Sequence, residues 1–486
     1  MEYSIIQMIK RMKILFLLLL LQSACAKKDS SGPNINPGQG ENPVKSDITA
    51  WITSPDNYIL FQKQSASLNF ATLSNSNPVI EVDSTKTYQE IDGFGNCLTG
   101  GSAMLIHHMD QASRSALLKE LFASDSNNIG ISYLRISIGA SDLNDHVFSY
   151  DDMPAGQVDP ALANFSVQED KIDLIPVLKE ILAINPSVKI LCSPWSPPAW
   201  MKSNESSKGG SLKREYYDAY ASYFVKYINA MKTEGVTIDA ITVQNEPLNP
   251  DNTPSLYMTA VEEADFIKGS LGPAFKDAGI STKIIVFDHN CDHPDYPMTI
   301  YNDPEAEKYV DGAAFHLYAG RIDALTTVHN SYPAKNLYFT EQWVGAPGNL
   351  SGDLDWHVKN LVIGATRNWA RNVLEWNLAS DPAYNPHTNG GCDQCLGAIT
   401  VNGNVYAKNP AWYIIAHCAK FVRPGSVRIA SNLPDNLPNV AFRTPAGKKV
   451  LIVLNESGAV SYFNLSFKGK YAPLTLDKGA VATYIW

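Results

Sequence analysis

The chain has 486 residues, 45% hydrophobic and 18% charged, a balance that excludes disorder over most of its length. Its 39 Lys and Arg against 49 Asp and Glu give a formal net charge of −10, and no basic run follows the first few residues, so nucleic acid is excluded as the leading partner. With 9 Trp and 23 Tyr the chain carries more rings than a core alone requires, and flat apolar ligands, sugars among them, are one reason to display them.

Residues 1–24 read as an export signal. Lys10, Arg11 and Lys13 precede the apolar run Ile14–Leu21, which is too short to span a bilayer, and Gln22-Ser23-Ala24-Cys25 follows. Cys25 after Ser-Ala resembles the lipobox of bacterial lipoproteins, whose cysteine is lipidated and becomes the mature N-terminus. Gln22 departs from it, standing where Leu is usual, and an ordinary secretory signal is the alternative. Residues 25–48, rich in Ser, Gly, Pro and Asn, form a flexible tether. No later segment has the length and apolarity of a membrane span. The expectation is an exported lipoprotein of a Gram-negative outer membrane or cell surface, touching the membrane through its lipid alone, with a periplasmic or secreted form as the alternative.

Residues 49–90 read as short strands broken by Pro55, Asn57 and the turn-rich stretch 74–78. From Gly93 the rhythm changes to apolar runs alternating with amphipathic stretches. The runs are Gly93–Leu98, Ile131–Ile138, Val188–Ser193, Ala240–Asn245, Lys283–Asp288, Gly312–His316, Leu337–Glu341 and Val373–Asn377. Helical patterns between them include Ile172–Ile184, Glu215–Lys232, Met258–Ala278 and Trp356–Ala370. Strand-then-helix units repeated in this way predict an α/β fold, a (β/α)8 barrel over residues 91–420. Residues 421–486 return to strands, at Val427–Ala430, Val440–Arg443, Val450–Asn455, Tyr462–Phe467 and Val481–Trp486, a β-sandwich signature. Neither flanking segment is long enough for a good core, so both chain ends are expected to build one side domain.

Of the seven cysteines, Cys392 and Cys395 form a lone C-x-x-C in a Gly-rich loop. A zinc site needs two more ligands and only His387 is near, so the pair reads as a local disulfide or free thiols rather than a metal site.

Chemistry in such a barrel sits at the C-terminal ends of its strands. Strand two carries Arg135, with Asp142 shortly after it. Strand three ends in Ser193-Pro194-Trp195-Ser196-Pro197-Pro198-Ala199-Trp200, and strand four in Gln244-Asn245-Glu246-Pro247. Strand six ends in His316-Leu317-Tyr318, strand seven in Thr340-Glu341-Gln342-Trp343, and strand eight contains Trp376-Asn377. A single Glu is ordinarily a solvated charge. Glu246 and Glu341 both close apolar strands, where a charge is costly without a purpose, and glycoside hydrolysis needs such a carboxyl pair. Asn245 is placed to bond a sugar hydroxyl and Tyr318 to donate to Glu341. Trp195, Trp343 and Trp376 offer stacking faces, against the default of buried core rings.

The series Glu90-Ile-Asp92-Gly93-Phe94-Gly95, Leu134-Arg135-Ile136-Ser137, Ser193 to Pro198, Asn245-Glu246-Pro247 and Thr340-Glu341 resembles glycoside hydrolase family 30 of clan A. That family includes acid β-glucosidase (glucosylceramidase) and microbial endo-β-1,6-glucanases. The match runs from about Thr87 onward in the family's order and spacing. The resemblance implies a barrel with a β-sandwich from both chain ends, Glu246 as acid/base, Glu341 as nucleophile, and retention of configuration. It implies that Arg135, Asp142, Trp195, Asn245, Tyr318 and Trp376 line the sugar subsite, with His316 in the same shell and no metal or organic cofactor. Glu246 is then expected to have a raised pKa and Glu341 a low one, with Arg135 as a candidate partner that keeps Glu341 or its neighbours ionised. A carboxyl separation of about 5–5.5 Å fits retention, and about 6.5–9.5 Å fits inversion.

Arg135 with Asp142 resembles the glucose-binding pattern of the glucosylceramidase and β-1,6-glucanase branches, not the xylan branch. With an exported, tethered enzyme, this points to an extracellular β-glucan and endo-β-1,6-glucanase action. An exo-acting β-glucosidase or glucosylceramidase-like enzyme is the closest alternative, and a non-catalytic glycan-binding surface lipoprotein the remote one.

Overall fold

In the computed structural model the described residues are 46–486, apart from Tyr58 and Ser74. The export signal, Cys25 and the tether up to residue 45 lie outside them. Residues 46–48, expected at the end of the tether, already belong to the folded body. Ile48 is buried and pairs with Leu68, and Ser46 Oγ donates to the Ile48 and Leu68 carbonyls.

β1 (Thr49–Ser54) and β2 (Ile59–Lys63) form a hairpin, and the long β3 (Val79–Ile91) follows. Only Asp92 separates β3 from the barrel. Its strands are β4 (Gly93–Cys97), β5 (Tyr133–Ile138), β6 (Lys189–Pro194), β7 (Ala240–Thr242), β8 (Lys283–Asn290), β9 (Val310–His316), β10 (Asn336–Glu341) and, after the two-residue β11 (Val344–Gly345), β12 (Ala370–Asn377). These eight close in the order β10-β12-β4-β5-β6-β7-β8-β9, all neighbours parallel. They lie between the barrel interior and the outer helices, which is why each is a nearly continuous apolar run.

Seven strands each send one buried side chain, from Tyr133 on β5 to Leu374 on β12, into a single interior layer. β4 contributes none, because Gly95 presses against β5: a Cβ there would lie 2.0 Å from the Tyr133 carbonyl oxygen. Side chains alternate along a strand. The inward position next above Tyr133 is therefore Arg135, at the level where the chemistry sits.

Two predicted helices are not continuous α-helices. Residues 258–278 hold the α-helices Ala260–Phe266 and Gly272–Asp277 with a π turn, Ile267–Leu271, between them. The other begins earlier, as Leu350–His357, and becomes a π turn over Val358–Ala365, with Ala370 already in β12. A π turn widens the helix locally while the apolar spacing stays close to helical, so periodicity does not reveal it.

β13 (Ala379–Ser380), β14 (Cys395–Leu396), β15 (Ile399–Asn402) and β16 (Val405–Lys408) fold the segment after β12 beside the barrel mouth, where β14 pairs with β11. The chain then enters β17 (Ser426–Ser431), β18 (Asn439–Arg443), β19 (Lys449–Leu454), β20 (Ser461–Phe467), β21 (Lys470–Leu476) and β22 (Val481–Ile485). With β1, β2 and β3 they make one nine-stranded sheet, ordered β2-β1-β22-β19-β18-β17-β3-β20-β21. The side domain therefore comes from both chain ends. Alternation sets its packing: Val450, Ile452 and Leu454 join the cluster that includes the barrel core, while Leu451 and Val453 build the sheet's own core. β21 is absent from the sequence reading because Pro473 interrupts it. The sheet tolerates that proline because β21 is an edge strand. Buried His417, on the helix Pro410–Ala419, bridges Thr53 of β1 and Thr483 of β22 at 2.8 and 2.9 Å.

Candidate active site

Arg135 is wholly buried, and three acceptors hold its guanidinium. Nη1 donates to Glu341 Oε2 at 2.6 Å, and Nη2 to Asn245 Oδ1 and Asp288 Oδ2 at 2.7 Å each. Burial works against its charge, but Asp288 and Glu341 outweigh it and keep Arg135 protonated. The cation lies 4.8 Å from the Trp195 ring centroid and 5.7 Å from that of Trp376.

Asp288 is the charge on which the others depend. Besides Arg135 it accepts from Ser193, Thr242 and Thr340 hydroxyls at 2.8, 2.7 and 2.6 Å. Burial alone would raise its carboxyl, but Arg135, His316 and Thr340 hold it well below the usual carboxylate range. The sequence alone assigns Asp288 no role. The available signal was its place at the end of an apolar run, the same signal that singled out Glu246 and Glu341.

His316 lies between two carboxylates, with Nδ1 3.1 Å from Glu246 Oε1 and Nε2 3.1 Å from Asp288 Oδ1. Burial opposes its protonation, yet Glu341, Asp288 and Glu246 push it up to about 9. Glu246 also accepts from Asn249 Nδ2 at 2.8 Å, and it has a left-handed backbone, φ 45°. Phe287 (φ 75°) and Asp288 (φ 57°) share that conformation, so backbone strain concentrates at this end of the barrel. Glu341 is held by Arg135 at one oxygen and by the Tyr318 hydroxyl at the other, 2.9 Å from Oε1.

The expected ordering of the two glutamates is reversed. Burial acts to raise Glu246, but hydrogen bonding and attraction from His316 hold it low, at about 2. Burial raises Glu341, and repulsion from Glu246 and Asp288 adds to it against His316 and Arg135. The physical reason is that the proton expected on Glu246 resides on His316.

One carboxylate oxygen of Glu246, one of Glu341 and a ring nitrogen of His316 lie within 4.8 Å of one another. This is the set among the described residues with metal-ligand spacing, and Arg135 already supplies a counter-charge to it. Asp142, just beyond β5, is pushed up to about 7 by burial and by Glu341 and Glu246. Its Oδ1 is buried without a protein partner, as are Trp195 Nε1, Gln244 Oε1, Gln342 Oε1 and His289 Nδ1. Asp142 feels the charge of both glutamates, and its orphaned oxygen suits a hydroxyl-rich ligand. Asn245 Oδ1 is taken by Arg135, which leaves the amide nitrogen to donate.

Trp195 and Trp376 are almost wholly buried, with ring centroids 5.4 Å apart, and they back Arg135 rather than standing open. Trp343 is half-buried beside them. Cys392 and Cys395 are disulfide-bonded, and they pack against these tryptophans. The other four cysteines among the described residues are buried free thiols. No helix among the described residues is long and apolar enough to cross a membrane.

Residues 91–422 match the model of the glycosyl hydrolase family 30 TIM-barrel domain, and residues 425–484 that of the family 30 beta sandwich domain. An endo-1,6-beta-D-glucanase of Neurospora crassa is 35% identical over 438 residues, covering 85% of this chain and 89% of its own. One of Trichoderma harzianum is 34% identical over 412 residues, covering 80% and 82%. A solved endo-beta1,6-glucanase structure superposes with a TM-score of 0.84 at 36% identity, covering 91% of this chain and 99% of its own. The chain belongs to glycosyl hydrolase family 30.

Proposed function

We propose that the protein is a retaining, endo-acting β-1,6-glucanase. Glu341 attacks the anomeric carbon while Glu246 gives a proton to the departing glycosidic oxygen. Water that Glu246 deprotonates then hydrolyses the glycosyl-enzyme. The observation that carries this reading is the carboxyl pair, with oxygens within 4.8 Å at the ends of β7 and β10. Inversion needs about 6.5–9.5 Å to admit a water, and retention about 5–5.5 Å.

The division of roles follows from the hydrogen bonds. Arg135 and Tyr318 fix both oxygens of Glu341 and keep their own protons at neutral pH, as suits a nucleophile. Glu246 touches His316, and the proton on that hydrogen bond is the one delivered to the leaving group. As Glu341 becomes an ester it loses the charge that does most to raise His316, and Glu246 becomes free to act as base. Asp142, Asn245 and Trp343 border the reacting sugar, with Trp195 and Trp376 behind them backing Arg135.

The β-1,6-glucan substrate is supported by the names of both fungal relatives and of the solved neighbour. Lipidation of Cys25 and a tether over residues 25–45 place the enzyme at the outer membrane or cell surface, within reach of a polymer too large to import. The test is product analysis on linear β-1,6-glucan, with Glu246→Gln and Glu341→Gln variants alongside. Oligosaccharides from gentiobiose upward, released first as the β-anomer and absent in both variants, are expected. Glucose as the only early product would mean exo action. An intact polymer and intact aryl β-glucosides would mean a binding protein or another sugar.

A further inference from the structure

The Cys392–Cys395 disulfide takes no part in this chemistry, yet its loop touches three sides of the site. On one side it lies against Asp142. A Cβ on Gly391 would sit 2.3 Å from the Asp142 carbonyl oxygen, and that oxygen accepts from the Thr388 N–H at 2.8 Å. The Cys392 backbone lies near enough to the Asp142 carboxyl to favour its charged form. On the second side, β14 pairs Cys395 with Gly345 and Leu396 with Val344, directly after Glu341-Gln342-Trp343. On the third, the Cys395 carbonyl accepts from Asn377 Nδ2 at 3.3 Å, next to Trp376. Cys395 itself packs in one buried cluster with Trp195 and Trp376, and Cys392 lies against that cluster beside Trp343.

The Asp142 carboxyl has little to restrain it, since Oδ1 is buried with no protein partner. A carboxylate awaiting a ligand keeps its aim only if the peptide that holds it keeps its place. Residues 390 and 391 are both glycine, the residue with the most backbone freedom to lose. The link between Cys392 and Cys395 closes the four residues that follow and fixes the point to which this Gly-Gly segment is attached.

We propose that the Cys392–Cys395 disulfide is a positioning element of the sugar subsite, holding Asp142 in register, so that affinity for the sugar ring depends on the S–S bond. This rests on the reading of Asp142 as a sugar-contacting residue. A disulfide that only stabilised the fold would lower the melting temperature and leave KM alone.

The test is kcat and KM on an aryl β-glucoside for the full-length enzyme, Asp142→Asn, Cys392→Ser/Cys395→Ser, and the triple combination. Losing the disulfide is expected to lower kcat/KM by about tenfold or more, chiefly through KM, as a displaced binding group does. In the Asp142→Asn background the same change should add less than about twofold, because both act on one contact. If the Ser variant does not fold, Gly391→Ala tests the same contact with the bond intact, by pushing on the Asp142 carbonyl, and the same rise in KM is expected. An unchanged KM in a folded Ser variant or in Gly391→Ala overturns the inference, as do effects that multiply with Asp142→Asn. An inactive wild type overturns the functional reading, and an unchanged Asp142→Asn overturns the role of Asp142; the inference falls with either.

Discussion

His316 and Glu246 share one hydrogen bond, Nδ1 to Oε1 at 3.1 Å, and both side chains are buried. Because Nε2 of the same ring faces Asp288, a single proton between Nδ1 and Oε1 satisfies the pair in either form. Imidazolium with carboxylate and imidazole with carboxylic acid differ only in where that proton lies. The acid needed for bond cleavage is thus stored on a neighbour, and the two residues form one functional unit.

The pH profile should reveal that unit. His316 is raised from its ordinary 6.5 to about 9, so the stability it contributes is complete below pH 6.5 and is lost as pH rises through 9. Glu246 is lowered from 4.5 to about 2, so its contribution is present above pH 4.5 and is lost as pH falls through 2. kcat/KM of the free enzyme should fall on an alkaline limb near pH 9, and the melting temperature should decline over the same range. Replacing His316 with Asn should displace that limb. A limb that stays in place would show that the proton is held elsewhere.

Replacement of either glutamate should separate the two chemical steps. Glu246→Ala should lose about 10²–10⁴-fold on substrates with poor leaving groups and far less on activated aryl glucosides, because only the former need the proton. Added azide should accelerate Glu246→Ala on activated aryl glucosides and yield the β-glycosyl azide. Glu341→Ala with an activated α-glycosyl fluoride tests the other role, through synthesis without hydrolysis of the product. Interchanged behaviour would reverse the assignment.

Arg135 carries charge for two carboxylates, so Arg135→Met should cost stability as well as activity. Taking one of its two buried cationic partners from Asp288, with His316 remaining, is expected to cost up to about 3–5 kcal/mol. Arg135→Lys keeps a charge but loses the fork that reaches Glu341, Asn245 and Asp288 together. It should melt above the Met variant while remaining a poor catalyst. Thermal melts and kcat/KM measured together check both statements.

Removal of residues 46–91 should abolish folding of the rest. It deletes β1 and β2, which bares the edge of β22, and β3, which lies between β17 and β20, so that the sheet splits there. The exposed edges and the uncovered Leu451 and Val453 face should drive aggregation. A soluble 92–486 fragment with a cooperative melt would contradict this.

The barrel was legible because each strand is buried on both faces, and apolar runs such as Lys283–Asp288 and Leu337–Glu341 have no other explanation. Glu246 and Glu341 were legible as charges closing such runs. Asp288 ends its run in the same way, but it looks like any strand-end acid until Arg135, His316 and the hydroxyls of Ser193, Thr242 and Thr340 are brought around it from five other strands. The proton on His316 was not legible for the same reason: it depends on three carboxylates far apart in sequence. Local pattern failed at Pro473, whose strand survives only as an edge, and at the two π turns.

β1 and β22 pair residue by residue, from Thr49 with Ile485 to Thr53 with Val481. β1 therefore has to wait until residue 481 for its inner neighbour to begin. Barrel strands follow one another closely and can assemble as they emerge; the side sheet cannot be sealed until Val481–Ile485 arrives. A chain cut short before Val481 deprives β1 and β19 of the same partner. Without Val481–Ile485 both strands are left with an unpaired edge, open to proteases and to other chains.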